Sequence, residues 1–468
     1  MSQRPIRLGV VADDLTGANA TGVRLAGWGM EVWSALTAEE APRLEGHVQA
    51  LALVTESRAL PAQEAAHRVR RATAVLVEAG ANLFGKRIDS TLRGNLGTEL
   101  EAMMGALDAA GRPHLALVVP AYPASGRVVA GGFLLVHGVP VQETAAGTDP
   151  GAPVRSSRVQ EVLREQTGLA MESLELDQVL RGPGTARAAL EGAIRRGTRV
   201  VVADATTDAH IDTLVAATVL LETPVLSVDP GPFTGALARA RLIEAGWAVP
   251  APTLRQPAAG SGATRREGPA PGGETPEHSK KPHYLAGVVG SVTPLSLRQV
   301  ERAARAGAAC PVPVPVDALV AATSSAEADP ATVRHAAREA LDAALACLRR
   351  AEVPLLVTAR SGQPLLPAQT AGAVAGAVGE LVAALADEAA SQGTPLDGLY
   401  LSGGDITVAS CRALTSPVLR LEVEVEPLVA FARLTGGPWA GLPVVTKGGL
   451  VGDEEALVRC LRYLSDGP

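Results

Sequence analysis

Residues 86–95 read K-R-I-D-S-T-L-R-G-N. Lys86, Arg87 and Arg93 supply three cations, Asp89 a carboxylate, and Ser90 and Thr91 two hydroxyls. A glycine follows, and an apolar helical pattern begins directly after. A core strand does not need that chemistry. A site gripping a small, anionic, hydroxylated molecule does, because arginine meets carboxylates with two parallel hydrogen bonds and a helix start attracts anions. The plainer alternative is a solvated loop with a Ser/Thr cap, and the density of side chains favours the site. A second cluster, V-A-D-D-L-T-G-A at 11–18, ends the first apolar run with Asp13 and Asp14. Carboxylates there can hold a hydroxyl, take its proton or help hold a metal; one of them can equally cap the next helix. Arg58, in T-E-S-R, and Arg127, at the end of the proline-stiffened P-A-Y-P-A-S-G-R, are further candidates for the same pocket.

The second half carries three glycine-bearing turns: Gly290-Ser291, S-G-G-D at 402–405 and T-K-G-G-L-V-G-D at 446–453. Their amides can cradle phosphate, which makes Ser291, Gly403, Gly404, Asp405, Lys447, Gly448, Gly449 and Gly452 candidate nucleotide contacts. None of the turns is a P-loop or a G-x-G-x-x-G, so a dinucleotide-dependent dehydrogenase has no fingerprint here. The histidines form no H-E-x-x-H and are given no metal. No G-x-S-x-G supports a serine hydrolase.

These clusters need elements to position them. Apolar runs at 6–12, 48–54, 115–119 and 199–203 lack strict alternation, as strands buried on both faces do. A shorter run at 82–85 delivers the 86–95 cluster. Helical patterns at 62–79, 95–109, 157–167 and 208–221 alternate with these runs, which predicts βαβ units and parallel sheets. Residues 251–282 are rich in Pro and Gly without periodicity and read as a disordered linker. The same alternation resumes with runs at 284–291, 353–358, 397–402 and 442–446 and Ala-rich helices near 331–350 and 370–390. A last helix is expected from Asp453. Two α/β domains, 1–250 and 283–468, follow.

Of 468 residues, 47% are hydrophobic but only 3% aromatic, so Ala, Val and Leu must fill the cores. The net charge of −7, without a basic stripe, argues against nucleic acid. Cys310, Cys347, Cys411 and Cys460 are far apart in sequence, which predicts neither a disulfide framework nor a zinc site and suits a reducing cytoplasm. No run of about 18 apolar residues is evident, so no membrane span is expected.

The motifs V-A-D-D-L-T-G-A-N, K-R-I-D-S-T-L-R-G-N, P-A-Y-P-A-S-G-R, D-P-G-A-P-V-R-S-S (149–157), V-V-G-S-V-T (288–293), S-G-G-D and T-K-G-G-L-V-G-D resemble, in order, those of the four-carbon acid sugar kinases. The resemblance implies a first domain that binds a tetronic acid, a second that binds ATP with Mg²⁺, and transfer to the terminal hydroxyl in the cleft between them. It implies substrate contacts at Asp13, Arg58 and the Lys86–Ser90 stretch, and nucleotide contacts at Ser291, Gly404 and 447–452. The base stays open among Asp13, Asp14 and Asp89. Homo-oligomerisation is compatible with the family. The chain departs from the family pattern at Ala20, Ile406, Leu450 and Val451. Leucine at a glycine position with positive φ would be strained, so the expectation is a reshaped loop or weakened ATP binding. A relative that binds a sugar acid without transferring phosphate is the rival reading.

Overall fold

The structure is a computed structural model. It describes residues 7–41, 48–149, 151–249, 283–290, 293–323, 335, 337–358, 366 and 368–467. The expected 251–282 linker and Ser291 lie outside them.

In the first half the strands are β1 (Leu8–Ala12), β2 (Glu31–Ala35), β3 (Val48–Val54), β4 (Leu83–Arg87) and β5 (Leu115–Val118), then β6 (Arg127–Ala130), β7 (Phe133–Val136) and β8 (Val139–Pro140), then β9 (Met171–Leu174), β10 (Val200–Ala203) and β11 (Val225–Asp229). The second half contributes β12 (Leu285–Val289), β13 (Cys310–Pro313), β14 (Pro354–Val357), β15 (Gly398–Ser402), β16 (Val418–Glu426), β17 (Val429–Leu434) and β18 (Pro443–Lys447). β6, β7 and β8 form a small antiparallel sheet of their own.

All other strands belong to one 15-stranded sheet, in the order β13-β14-β12-β15-β18-β17-β16-β2-β3-β1-β4-β11-β5-β10-β9. The strands β2-β3-β1-β4-β11-β5-β10-β9 of the first half are parallel, and so are β13-β14-β12-β15-β18 of the second, as the long apolar runs predict. The halves join through the antiparallel β16–β17 hairpin, whose β16 pairs with β2 from Leu421↔Val32 to Val418↔Ala35. The expected two sheets are thus one. A single hydrophobic cluster follows the seam, from Val10 and Leu15 through Leu419 and Leu421 to Val288 and Leu401. Gly22 makes this approach possible: a Cβ there would lie 2.1 Å from Leu421 Cδ1.

Three local expectations shift. Lys86 and Arg87 are the last two residues of β4 rather than loop residues, because a polar strand end is acceptable where partners await it. The last helix runs Ala456–Asp466, and Asp453 lies in the turn before it. There its carboxylate accepts from the Glu455 amide and pairs with Arg459. The separation of the cysteines in sequence also misleads. The helix Arg338–Arg349 leads into β14, the neighbour of β13, and lays Cys347 beside Cys310.

One helix segment, Thr370–Ser391, is long and apolar enough to cross a membrane by length and composition, unlike the reading from apolar runs. Half of its most apolar window is buried within the fold. It packs tightly against the helix Gly404–Ala413 because Gly379 lets the backbones approach. A Cβ at Gly379 would stand 2.5 Å from the Ala409 carbonyl oxygen. Gly379→Ala gains up to about 1 kcal/mol of helix propensity. It also drives a methyl group into backbone that no rotamer change can relieve, and overpacking costs about 1–3 kcal/mol. We expect the steric term to win, visible as a lower thermal midpoint and an earlier denaturant midpoint.

Candidate active site

β1 and β4 are neighbours, and their registered ends place Ala12 opposite Arg87. Asp13 and Asp14 therefore emerge beside the cluster at 86–95. Arg87 Nη1 lies 3.2 Å from Asp13 Oδ1 and 3.1 Å from Asp14 Oδ1. From the turn after β3, Arg58 Nε reaches Asp13 Oδ2 at 2.6 Å, and its Nη2 reaches Asp14 at 2.9 Å and Asp89 at 3.5 Å. Arg93 grips Asp89 at 2.9 and 3.0 Å and reaches on to Asp149 at 3.0 Å. Asp89 also accepts from the Thr91 amide and hydroxyl. Ser90 is buried in the same turn. The sequence clusters are thus one alternating network of arginines and carboxylates.

The electrostatics follow. Burial opposes ionisation of Asp13 and Asp89, but the guanidinium groups override it. Arg58 and Arg87 hold Asp13 below the ordinary carboxylate value, and Arg93 and Arg58 hold Asp89 well below it. Asp14 caps the helix Leu15–Ala26 by accepting from the Gly17 amide at 2.8 Å. Its side chain is 23% exposed against 5% for Asp13 and Asp89, so of the three it is the most accessible to solvent. Gly17 is itself required by the network, since a Cβ there would lie 2.1 Å from the Arg87 guanidinium.

Lys86 does not line the cleft. It is fully buried, with Nζ 2.7 Å from Glu99 Oε2 and 2.8 Å from the Arg87 carbonyl oxygen. Glu99 in turn accepts from Ser57 Oγ at 2.7 Å. As a strand residue, Lys86 points into the sheet's packing layer, which corrects its expected contact with substrate. Arg127 does face the cleft. One guanidinium nitrogen donates to the Ser125 carbonyl oxygen, while its buried Nε has no partner. Burial, with Arg93 nearby, pulls its guanidinium below the ordinary arginine value.

From the second half, Gly403 (φ 111°) opens the helix Gly404–Ala413, with Asp405 in its first turn, and its amide donates to the Lys447 carbonyl oxygen. Lys447 ends β18 fully buried, and its ammonium ties the following turn together through the carbonyl oxygens of Gly448 (2.9 Å) and Val451 (3.1 Å). Burial pulls it down to about 8. Thr293 and Ser296, at the start of the helix Pro294–Arg305, both donate to the Gly449 carbonyl oxygen at 3.0 Å. Leu450 is not strained. The positive φ of this turn sits at Gly452 (79°), which leaves Leu450 in ordinary backbone. Ile406 fills the space beside Gly290, where a Cβ would meet it at 2.1 Å.

The two sets meet. Thr16, next to the acid pair, lies against both glycine turns: a Cβ on Gly404 would be 3.7 Å from its Oγ1, and one on Gly448 3.4 Å from its Cγ2. Asn19 donates to Thr446 Oγ1 across the halves at 3.1 Å. A cleft of about 740 Å³ opens between Thr91, Ser125, Arg127 and His137 on one side and Leu295, Glu424, Leu450 and Gly452 on the other. Three contributors were not legible as site residues. Tyr122 donates to Glu424 Oε1, and Arg24 reaches both, bridging the halves at the cleft wall. Only their lodging between charged motifs hinted at this.

A family model described as a sugar-binding N-terminal domain matches residues 8–237, and one described as a nucleotide-binding C-terminal domain matches 286–457. The chain is 37% identical over 466 residues to a D-erythronate kinase of Heliobacterium modesticaldum, covering 97% of this chain and 96% of the relative. It is 31% identical over 463 residues to a D-threonate kinase of Salmonella typhimurium, with 98% of each covered. A 3-oxo-tetronate kinase of Pseudomonas fluorescens is 27% identical over 484 residues, with 99% and 98% covered. A crystal structure from Salmonella typhimurium LT2 shares the fold, with a TM-score of 0.72 at 21% identity over 98% of this chain and 99% of that one.

The burial of Lys86 makes it a stability residue. Lys86→Ala leaves Glu99 charged and uncompensated in the interior, and breaking such a pair costs about 3–5 kcal/mol. The double change Lys86→Met with Glu99→Leu should recover much of that loss, because it removes both charges. Denaturant titration of the two variants beside the parent protein checks this; equal losses in the single and double variants would contradict it.

Proposed function

This chain belongs to the four-carbon acid sugar kinase family and is a small-molecule kinase, and we propose that it transfers the γ-phosphoryl group of ATP to the terminal hydroxyl of a four-carbon sugar acid such as erythronate, threonate or 3-oxo-tetronate. In this reading residues 1–250 hold the acid and residues 283–468 hold the nucleotide. The observation that carries it is the meeting at Thr16 of the acid pair with both glycine turns. Two chemically different half-sites, one of arginines and carboxylates and one of glycine-rich turns, meet there, and a cleft of about 740 Å³ lined by Thr91 and Arg127 from the first half and by Leu450 and Gly452 from the second opens nearby.

Phosphoryl transfer is mostly positioning and charge neutralisation. Arg127 offers an unpartnered donor to the acid's carboxylate. Arg58, Arg87 and Arg93 keep Asp13, Asp14 and Asp89 in place. Asp89, saturated with donors, is the poorest proton acceptor of the three. Asp14, the most exposed, would take the hydroxyl proton, and Asp13 would orient the hydroxyl through the shared arginines. The amides of the 448–452 and 403–405 turns would face the phosphates, alongside Ser291, while Lys447, expected as a nucleotide contact, is buried and braces the 448–452 turn from within. Magnesium fits as an ion carried on the nucleotide. Among the described residues no three carboxylates of the cleft converge within ligating reach, and Mg²⁺ normally keeps phosphate and water ligands. When bound it would neutralise phosphate charge.

ADP release from purified protein with Mg-ATP, challenged with D- and L-threonate, D- and L-erythronate, 3-oxo-tetronate and D-glycerate, tests the reading. Stimulation by one of the four-carbon acids is expected, and stimulation by none would refute it. Asp14→Asn should lower kcat by about 10²-fold or more; asparagine keeps the helix cap, so the melting temperature should fall only by what Arg58 and Arg87 lose in one shared carboxylate partner. Arg127→Met should raise KM for the acid and leave KM for ATP unchanged.

A pH dependence follows from Lys447. Folding lowers its value from 10.5 to about 8, so the folded protein sheds this proton above pH 8 while the unfolded chain still holds it. Stability linked to this group therefore rises with pH between those values, but the ammonium that ties the 448–452 turn together is lost. ATP affinity by calorimetry should fall as pH rises through about 8, and Lys447→Met should flatten that dependence.

A further inference from the structure

At the outer edge of the sheet, away from the cleft, three side chains of metal-binding type come together. Cys310 opens β13, Cys347 lies in the last turn of the helix Arg338–Arg349, and Glu352 follows in the turn leading to β14. Their donor atoms all lie within 4.8 Å of one another. A cation already sits among them. Arg350 Nη2 is 2.7 Å from Glu352 Oε2, 3.5 Å from Cys347 Sγ and 4.0 Å from Cys310 Sγ. We propose that this triad binds one divalent ion of the zinc class, with Cys310, Cys347 and Glu352 as ligands and water in the fourth position.

The backbone presets the arrangement. The amides of Arg350 and Glu352 both donate to the Cys347 carbonyl oxygen, at 2.9 and 3.0 Å, and the Cys310 amide donates to Val353 at 2.7 Å. All three donors therefore hang from one hydrogen-bonded corner. Two thiolates and a carboxylate suit a borderline-soft ion over magnesium or calcium. Metal–sulfur bonds of about 2.3 Å and metal–oxygen bonds of about 2.0–2.2 Å place tetrahedral donors roughly 3.5–3.8 Å apart, which side-chain rotation can reach from here. Cys347 is buried, Cys310 half-buried and Glu352 exposed, so an ion has a path from solvent. On binding, each thiol releases its proton to water and the Arg350 guanidinium swings outward. The ion, two thiolates and one carboxylate then carry a net single negative charge, which Arg350 balances from outside. The bound ion would clip β13, an edge strand, to the helix behind it.

Cobalt(II) is the probe, titrated into the reduced full-length protein and followed by its thiolate-to-cobalt charge-transfer absorption. We expect one equivalent to bind with that band and to raise the melting temperature. Cys310→Ser, a change at a half-buried edge position, should abolish the band and leave kinase turnover unchanged. Glu352→Gln should weaken cobalt binding by about tenfold or more. The absence of a charge-transfer band, or its survival in Cys310→Ser, would overturn the proposal. So would loss of both thiols as a disulfide under hydrogen peroxide in a protein that binds no cobalt, which would make the cluster a redox pair.

Discussion

Everything at the cleft depends on keeping buried charge in balance. Asp13, Asp14, Asp89 and Asp149 face Arg58, Arg87, Arg93 and Arg127, one carboxylate for each guanidinium. In a partly dry site an unpaired member of such a set is expensive, so each strand end and turn that delivers one charge must deliver its partner. This is why β1 and β4 are adjacent and in register, why the turn after β3 carries Arg58, and why Gly17 leaves room for Arg87. The balance is complete in pairs yet uneven in contact. Arg127 touches no carboxylate directly. On the proposed reading, an incoming carboxylate would meet a cation there without having to break an existing ion pair, while Arg58, Arg87 and Arg93 stay paired with the aspartates.

The second constraint is that the two half-sites cannot drift apart freely. The β16–β17 hairpin belongs to the second half's strand order, yet β16 pairs with β2 of the first. The same hairpin carries Glu424 to Tyr122 and Arg24, and Leu428, held at φ 68°, to the small apolar cluster of Ala20 and Tyr122 with Val451 beside it. Burial and the Glu424 carboxylate push the Tyr122 phenol far up, so it remains a hydrogen-bond donor at any ordinary pH. An acceptor wall, a bridge residue and the turn after β18 are therefore packed as one block. Any closure on substrate must come from loops and side chains at the rim rather than from sliding one half over the other through the seam.

The sequence made the chemistry more legible than the architecture. Asp13, Arg58, Arg87, Asp89 and Arg93 do come together, because each follows or ends an apolar run, and strand ends on one side of a parallel sheet converge by topology. Long-range pairing carries no local signal, so the hairpin at 418–434 and the fusion of two sheets into one went unseen. Lys86 was misread for a related reason. A lysine beside an arginine looks like loop chemistry, and only the three-dimensional position of Glu99, thirteen residues on, shows that it faces inward. The thiols of Cys310 and Cys347 show the same limit, since distance along the chain says nothing once a β–α–β connection folds back.

The departures at Leu450 and Ile406 bear on whether the nucleotide half is intact. Each has a structural answer in its surroundings. Leu450 needs no left-handed backbone because Gly452 takes it, and a side chain at 452 would collide with Ala456 at 2.5 Å. Ile406 occupies room that only a glycine at 290 leaves open, in a core position that is 6% exposed. The turn after β18 is further held by Lys447 from within and by Thr293 and Ser296 from the neighbouring helix. The turns at 402–405 and 446–453 are thus well packed around Ile406 and Leu450, and a firmly packed turn is what positioning a phosphate would demand.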